Sequence, residues 1–195
     1  MIRVLASSNH ETRVRALKDN IRVVVAVHEG GHCLMGRLHK VEFPILLPAI
    51  RQNGTTLDIS QNAGAVVKSR GLTHDSAIDI LLGGYCGELA FYDEYILLAG
   101  KAEIWINTDR ATNDFISLLK YLEIHPVALG ELERQLNSGG VASKAVVQAL
   151  FNEYGIGTYR KMRSHRDQLI AIAQELFDYW SARQFEECVW PATQR

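Results

Sequence analysis

IRVVVAVHEGGHCLMGRLHK, residues 21–40, is the part of the chain that indicates its fold most clearly. Apolar or small residues recur there every three or four positions, which is the spacing of one face of an α-helix. Asn20 can cap the start of this helix, and Pro44 prevents a long continuation. We therefore predict a helix over most of this stretch, with one face made of Val24, Val27, Gly31, Leu34 and Leu38.

His28, Glu29 and His32 form an HExxH pattern inside the predicted helix. About one helical turn separates the two histidines, so both imidazoles project from the same face and can share a metal ion. A catalytic zinc needs a third protein ligand and an open position as well. Glu29 is placed to take a proton from water and pass it to a leaving amine. The pattern predicts zinc ligands at His28 and His32 and a base at Glu29, against the alternative of two histidines that only form surface hydrogen bonds.

Gly30 and Gly31 are unfavourable residues for the interior of this helix. Together they cost roughly 2 kcal/mol relative to alanine. A close approach by another backbone would explain why side chains are absent there. We therefore expect either a packed helix or a substrate backbone against this part of the helix.

The rest of the chain predicts a mainly α fold with a small β element. Residues 41–69 contain short β-prone runs broken by prolines and glycines, which predicts a small sheet. Thr73 is the expected N-cap of the next helix, and Asn107 or Thr108 that of the helix after it. The further predicted helices lie within residues 74–95, 109–124, 141–162 and 166–185.

The predicted domain organisation is simple. Residues 1–18 are mixed and polar, and we expect an N-terminal arm or a short helix there. Residues 19–195 are expected to form a single metallopeptidase-like domain. Within it, residues 19–125 would carry the zinc site and residues 126–195 the C-terminal helices.

Composition excludes several classes of protein. The chain has 195 residues, of which 47% are hydrophobic and 22% charged, so it is not of the disordered class. Its formal charge of −1 gives no bulk attraction to nucleic acid. No apolar run approaches the ~20 residues that span a bilayer. The three cysteines include no CxxC pair, which is typical of a reducing compartment, so we expect a cytoplasmic protein. We expect neither a nucleic-acid partner nor membrane insertion.

Three segments, in this order, carry a resemblance to a known family. They are VAVHEGGHCLMG (25–36), LLGGYCGELAF (81–91) and TDRATNDFISL (108–118). They are similar to the HEAGH, GG-x-A-A-E-E and G-A-S-N-D helices of the zinc peptidase domain of FtsH-type AAA proteases. The resemblance covers roughly residues 18–122 and implies a helical FtsH-type peptidase domain.

The resemblance assigns roles to five residues. It implies that His28 and His32 are zinc ligands, that Glu29 is the base and that Asp114 is the third ligand. Glu88 matches the first glutamate of the family's pair and would orient a histidine from behind. The alternative for Glu88 is an exposed helix carboxylate. Other candidates for the third ligand are His39, His74, His125, Glu88, Glu103 and Asp109.

Four positions depart from the family's pattern. The family usually has alanine where Gly30 stands, arginine where Tyr85 stands, glutamate where Leu89 stands and glycine where Arg110 stands. None of the four is a proposed ligand or the base. Zinc-dependent hydrolysis therefore stays feasible.

The expected function is that of a zinc-dependent peptidase acting on peptides or unfolded polypeptides. The sequence has no G-x-x-x-x-G-K-[ST] phosphate loop, so we expect no ATPase activity of its own and a stand-alone domain without the family's motor and membrane segments. Two alternatives stay open. One is a non-catalytic, zinc-stapled binding or adaptor module, in which the zinc ion only holds parts of the chain together. The other is a peptidase subunit that docks on a separate ATPase. A homo-oligomer is a further open expectation.

Overall fold

A computed structural model describes residues 1–41, 45–47, 50–53, 56–59, 64–65, 72–92, 108–137, 144–183 and 188–190. Most of these residues are helical and the strands are short, which confirms a mainly α fold with a small β element. The helices are α1 (Ile2–Ala6), α2 (His10–Asp19), α3 (Ile21–Leu38), α4 (His74–Leu81), α5 (Gly83–Tyr92), α6 (Thr108–Leu122), α7 (Pro126–Asn137), α8 (Lys144–Leu150), a π-helix (Phe151–Gly155), α9 (Ile156–Ser164) and α10 (Arg166–Ser181).

Helix α3 is the centre of the molecule. Its predicted cap is confirmed, because the Asn20 side chain accepts hydrogen bonds from the backbone N–H groups of Arg22 and Val23 at 3.2 and 3.4 Å. Residues 23–36 are buried without interruption. A helix that is buried on all sides needs neighbours on all sides. Helix α5 packs against one side of α3 and α10 against another.

The two glycines of the HEGGH stretch make these close contacts possible. A Cβ atom built on Gly31 would lie 2.9 Å from the carbonyl carbon of Gly83 in α5. A Cβ atom on Gly30 would lie 3.4 Å from Ala173 in α10. The predicted close approach is therefore made by packed helices of the same chain.

The predicted helix over residues 74–95 is divided into α4 and α5. Thr73 caps α4 as expected, since its hydroxyl accepts from the Ser76 N–H at 3.2 Å. Leu82 separates the two helices, directly before the Gly83–Gly84 pair that is unfavourable in a helix interior. The Leu82 N–H still donates to the Ile78 carbonyl at 3.0 Å, which closes the last turn of α4. Residues 93–95 lie outside the described part of the chain.

The C-terminal part differs from prediction in two places. Helix α7 was not predicted. The segment 141–162 is divided by a π-helix, where Gly155 leaves space for the ring of Phe151: a Cβ atom on Gly155 would lie 2.9 Å from Cε2 of that ring. The helix expected within 166–185 is α10.

The short strands are β1 (Ile45–Leu47), β2 (Ile50–Asn53), β3 (Thr56–Ile59), β4 (Gly64–Ala65) and β5 (Cys188–Trp190). Strand β1 pairs antiparallel with β4 on one side and β5 on the other, and β2 pairs antiparallel with β3. The expected small sheet within 41–69 is thus present, with an added strand from near the C-terminus. The other residues of 41–69, apart from Val41, lie outside the described part.

The segment expected to be an N-terminal arm or a short helix forms two helices, α1 and α2. Ile2 is fully buried, and it lies one helical turn from the buried Ala6. Helix α1 packs against α10, and α2 packs against α3. The Arg166 guanidinium donates to the Ala6 carbonyl at 3.2 Å. Residues 2–6 therefore contribute to the core.

Among the residues described, none of the helices has both the length and the apolar character needed to cross a bilayer.

Candidate metal centre

His28, His32 and Asp114 converge in the buried interior. Helix α3 provides both histidines and α6 provides the aspartate. The two Nε2 atoms are 3.3 Å apart. Oδ1 of Asp114 lies 3.5 Å from Nε2 of His28 and 3.4 Å from Nε2 of His32. The three atoms form a nearly equilateral triangle.

The size of this triangle suits a metal ion. In a tetrahedral zinc site with bonds of ~2.0–2.1 Å, neighbouring ligand atoms are about 3.3–3.4 Å apart. The observed edges of 3.3–3.5 Å match that spacing. Two imidazole nitrogens and one carboxylate oxygen can therefore hold a metal ion here.

Hydrogen bonds on the far side of each ring turn its Nε2 atom toward the triangle. Nδ1 of His28 donates to Oε1 of Glu88 at 2.6 Å, and Nδ1 of His32 donates to the backbone carbonyl of Ile80 at 2.7 Å. With the proton on Nδ1, the Nε2 lone pair is free to bind a metal. Ile80 can accept because it lies in the last turn of α4.

Glu88 lies behind His28, as the resemblance implied. Its exposed fraction is 0%, which excludes the alternative of an exposed helix carboxylate. Oε1 is used by His28, whereas Oε2 has no hydrogen-bond partner among the described residues. The contact with a ring nitrogen makes Glu88 a positioning residue for His28.

Asp114 is held by the start of α5. Its Oδ2 atom accepts from the backbone N–H of Tyr85 at 2.9 Å. This N–H belongs to the first turn of the helix, where backbone donors have no helical acceptor. The Tyr85 ring, which stands where the resembling family has arginine, packs edge-on against Phe115 and Phe151. The backbone of Tyr85, and not its side chain, therefore orients the third ligand.

Burial and the nearby carboxylates shift the pKa values of the histidines in opposite directions. Burial would lower the pKa of His28 and of His32, but Asp114, together with Glu88 at His28 and Glu29 at His32, outweighs it and both pKa values are raised. Burial would raise the pKa of Asp114, yet the two imidazoles hold that pKa well below its usual range. Protons and a metal ion would compete for the same imidazole nitrogens.

Glu29 lies next to the ligands on α3, and its exposed fraction is 3%. Its carboxylate is among the groups that raise the pKa of His32. The structure therefore places the expected base close to the ligand triangle and inside the protein.

The other candidates for a third ligand are elsewhere. His39 binds Asp79 at 2.6 Å, and His125 binds Glu153 at 3.1 Å. His74 is exposed at the start of α4. Glu103 and the Asp109 side chain lie outside the described part of the chain. Among the described residues, Asp114 is the one that the structure brings to both histidines.

Asp79 directly precedes Ile80, whose carbonyl binds His32, and it forms a polar cluster that was not predicted. Its carboxylate accepts from Thr158 Oγ1 at 2.7 Å, His39 Nε2 at 2.6 Å and Lys161 Nζ at 2.5 Å. Burial would raise its pKa, but these donors lower it. They join the end of α3 and the helix α9 to α4, next to the Ile80 carbonyl that His32 uses. In the sequence, the cluster is indicated only by an acidic residue, Asp79, inside the predicted helix 74–95.

Comparisons with protein-family models, with curated proteins and with solved structures gave no significant match to this chain.

Proposed function

We propose that this protein is a zinc-dependent peptidase that hydrolyses peptide bonds of peptides or unfolded polypeptides. One observation carries the proposal: the buried triangle of His28, His32 and Asp114 has the edges of a tetrahedral zinc site and uses three of its four positions. A structural zinc site would normally use all four. A glutamate directly after the first ligand is the further requirement for hydrolysis, and Glu29 meets it.

The residues divide the chemistry between them. Bound zinc would supply a Lewis acid that acidifies water and polarises a peptide carbonyl. His28, His32 and Asp114 hold the ion, while Glu88 and the Ile80 carbonyl keep the imidazoles aligned. Glu29 takes a proton from the attacking water and delivers it to the leaving nitrogen.

The resemblance to FtsH-type peptidase domains supports the proposal. The first of the three similar segments provides both histidines and Glu29. The second provides Glu88 and the Tyr85 N–H, and the third provides Asp114. The three segments are distant in sequence but contribute to one cluster, which is expected if they are the motifs of one catalytic site.

The second candidate is a zinc-stapled binding module. The observation that favours it is the burial of Glu29, because a working base must reach a substrate. In this alternative the ion would join α3 to α6 without cleaving anything. Cleavage assays separate the two functions.

The test is digestion of casein, an unfolded substrate, by wild type and by Glu29→Gln at equal zinc content. General-base catalysis is worth roughly 10²–10⁴ in rate, so the proposal predicts a loss of that order in kcat with zinc retained. Glu133→Gln, on the half-exposed surface of α7, is the control and should cleave as wild type does. Cleavage should stop with a chelator, return with zinc and not depend on ATP. Zinc-loaded wild type that cleaves no faster than Glu29→Gln would favour the stapled module.

A further inference from the structure

Gly84 lies in the first turn of α5, directly against the ligand nitrogens. A Cβ atom built on Gly84 would lie 2.5 Å from Nε2 of His32 and 2.6 Å from Cε1 of His28. Non-bonded carbon atoms do not approach other heavy atoms this closely. A side chain at position 84 is therefore incompatible with the observed positions of the imidazoles.

Neither imidazole can move away from position 84 without losing a hydrogen bond. Each ring is held through its Nδ1 atom, that of His28 by Glu88 at 2.6 Å and that of His32 by the Ile80 carbonyl at 2.7 Å, and the backbone nitrogen of Gly84 lies 3.3 Å from the His32 Nδ1. Rotating a ring away from position 84 would break its anchor inside a buried site. It would also move Nε2 out of the ligand triangle.

The backbone of α5 is also fixed. Gly83 and Gly87 pack against Gly31 of α3 so tightly that a Cβ atom on Gly87 would lie 3.0 Å from the Gly31 Cα. Helix α5 therefore cannot shift away from α3 and remain packed. The clash at position 84 falls on the ligands.

The space next to Gly84 is also the space that an ion needs. An ion bound to both Nε2 atoms at ~2.0–2.1 Å would lie within about 3 Å of a carbon placed at position 84. A side chain at position 84 would therefore compete with the ion for the space beside the two Nε2 atoms.

We propose that Gly84 determines whether this site can hold a metal ion: its missing side chain leaves both imidazoles in place and keeps clear the space beside their Nε2 atoms that an ion would occupy. This inference rests on the metal centre of the proposed function. The role differs from that of Gly31, Gly83 and Gly87, which allow α3 and α5 to pack. Two adjacent glycines thus serve two purposes, Gly83 in packing and Gly84 in metal binding.

The test compares Gly84→Ala with Gly130→Ala and Gly157→Ala. The two control glycines also lie in helices, and a Cβ atom on either meets nothing within 4 Å. Zinc per chain is measured by mass spectrometry after dialysis against zinc, and the affinity by competition with a chromophoric chelator. We expect zinc affinity to fall at least tenfold for Gly84→Ala and to stay at the wild-type value for both controls. Wild-type zinc affinity in Gly84→Ala would overturn the inference.

A second measurement covers the case in which Gly84→Ala does not fold alone. The same change is made in the His28→Ala/His32→Ala background, where the clashing imidazoles are absent, and thermal unfolding is followed by circular dichroism without zinc. We expect Gly84→Ala to lower the Tm of the otherwise wild-type chain and to have less effect in this background. An equal loss of Tm in both backgrounds, or failure to fold in both, would overturn the inference.

The two proposals fail in different ways. Metal binding is measured here without cleavage, so a wild type that binds zinc but cleaves nothing would contradict the peptidase and leave the role of Gly84 intact. Wild type that binds no zinc would overturn both.

Discussion

At the scale of single residues, the site depends on atoms behind the ligands as much as on the ligands. Each imidazole is oriented through Nδ1, and Asp114 is oriented through Oδ2. Such supporting contacts typically change metal affinity or activity by 10–100-fold when they are removed. The contacts differ in kind, since one comes from a carboxylate, one from a backbone carbonyl and one from a backbone N–H. Of these, the carboxylate of Glu88 is the one that mutation can alter directly.

Glu88→Gln tests the positioning role. The amide keeps the size of the side chain but removes the charge that makes the His28 nitrogen a better ligand. We expect zinc affinity to fall by roughly 10–100-fold, measured by chelator competition, while circular dichroism shows an unchanged fold. Glu133→Gln provides the matched control at the surface. An affinity equal to that of wild type would show that Glu88 has no part in metal binding.

The ligand residues were predictable from sequence to different degrees. His28 and His32 follow from local spacing, because residues four apart share a helix face. Asp114 could not be derived from spacing, since it lies on another helix and only the resemblance indicated it. The Ile80 carbonyl has no side-chain signature at all. Local geometry is visible in a sequence, whereas contacts between distant elements depend on the fold.

At the scale of elements, the packing of α3 against α5 sets the site. The two helices approach closely because Gly31, Gly83 and Gly87 carry no side chains. This approach brings Glu88 and the Tyr85 N–H within reach of the ligands. Helices were predicted correctly where their capping residues lie next to them in sequence, as Asn20 and Thr73 do. Prediction failed for strand β5, whose partner β1 is distant in sequence.

Gly87→Ala tests this packing without entering the ligand triangle. Its Cβ atom would lie 3.0 Å from the Cα of Gly31, a backbone atom that cannot yield without moving the helix. Overpacking of this kind typically costs about 1–3 kcal/mol, and we expect that loss in the free energy of urea unfolding. Gly130→Ala, whose Cβ atom meets open space, should instead keep or raise stability by up to about 1 kcal/mol. A Gly87→Ala chain as stable as Gly130→Ala would refute the close packing.

At the scale of the whole molecule, a buried and a partly buried polar cluster each join elements that are distant in sequence. The ligand triangle connects α3 to α6. The Asp79 cluster connects α4 to α9 and to the end of α3. Both clusters should contribute to global stability, one through a metal ion and the other through charge.

The Asp79 cluster predicts a specific acid dependence. Because the folded-state pKa of Asp79 is lowered, its contribution is fully present above the unfolded-state value of ~3.9 and is lost as pH falls through the folded-state pKa. Asp79→Asn should reduce the free energy of unfolding by about 1–3 kcal/mol at pH 7. The difference from wild type should shrink below pH ~3.9. Urea unfolding at pH 7 and at a pH below ~3.9 measures this difference in the free energy of unfolding. A difference that grows on acidification would contradict the stabilising role of the Asp79 carboxylate.

The metal centre predicts a dependence of stability on zinc. An ion that binds only the folded chain stabilises it by about 2.7 kcal/mol at a free concentration 100 times its Kd. Zinc should therefore raise the Tm of wild type and have no such effect on His28→Ala/His32→Ala. His74→Ala, an exposed histidine, is the control and should respond as wild type does. Equal zinc shifts in wild type and the double variant would place the ion elsewhere.

The account depends most on the claim that one zinc ion is bound by two imidazoles and one carboxylate. X-ray absorption at the zinc edge of the purified, zinc-loaded protein measures this directly. The account predicts one zinc per chain and a first shell of nitrogen and oxygen only, at ~2.0–2.2 Å, with the scattering pattern of two imidazoles. A sulfur shell at ~2.3 Å, fewer than two imidazoles or the absence of bound zinc would contradict it.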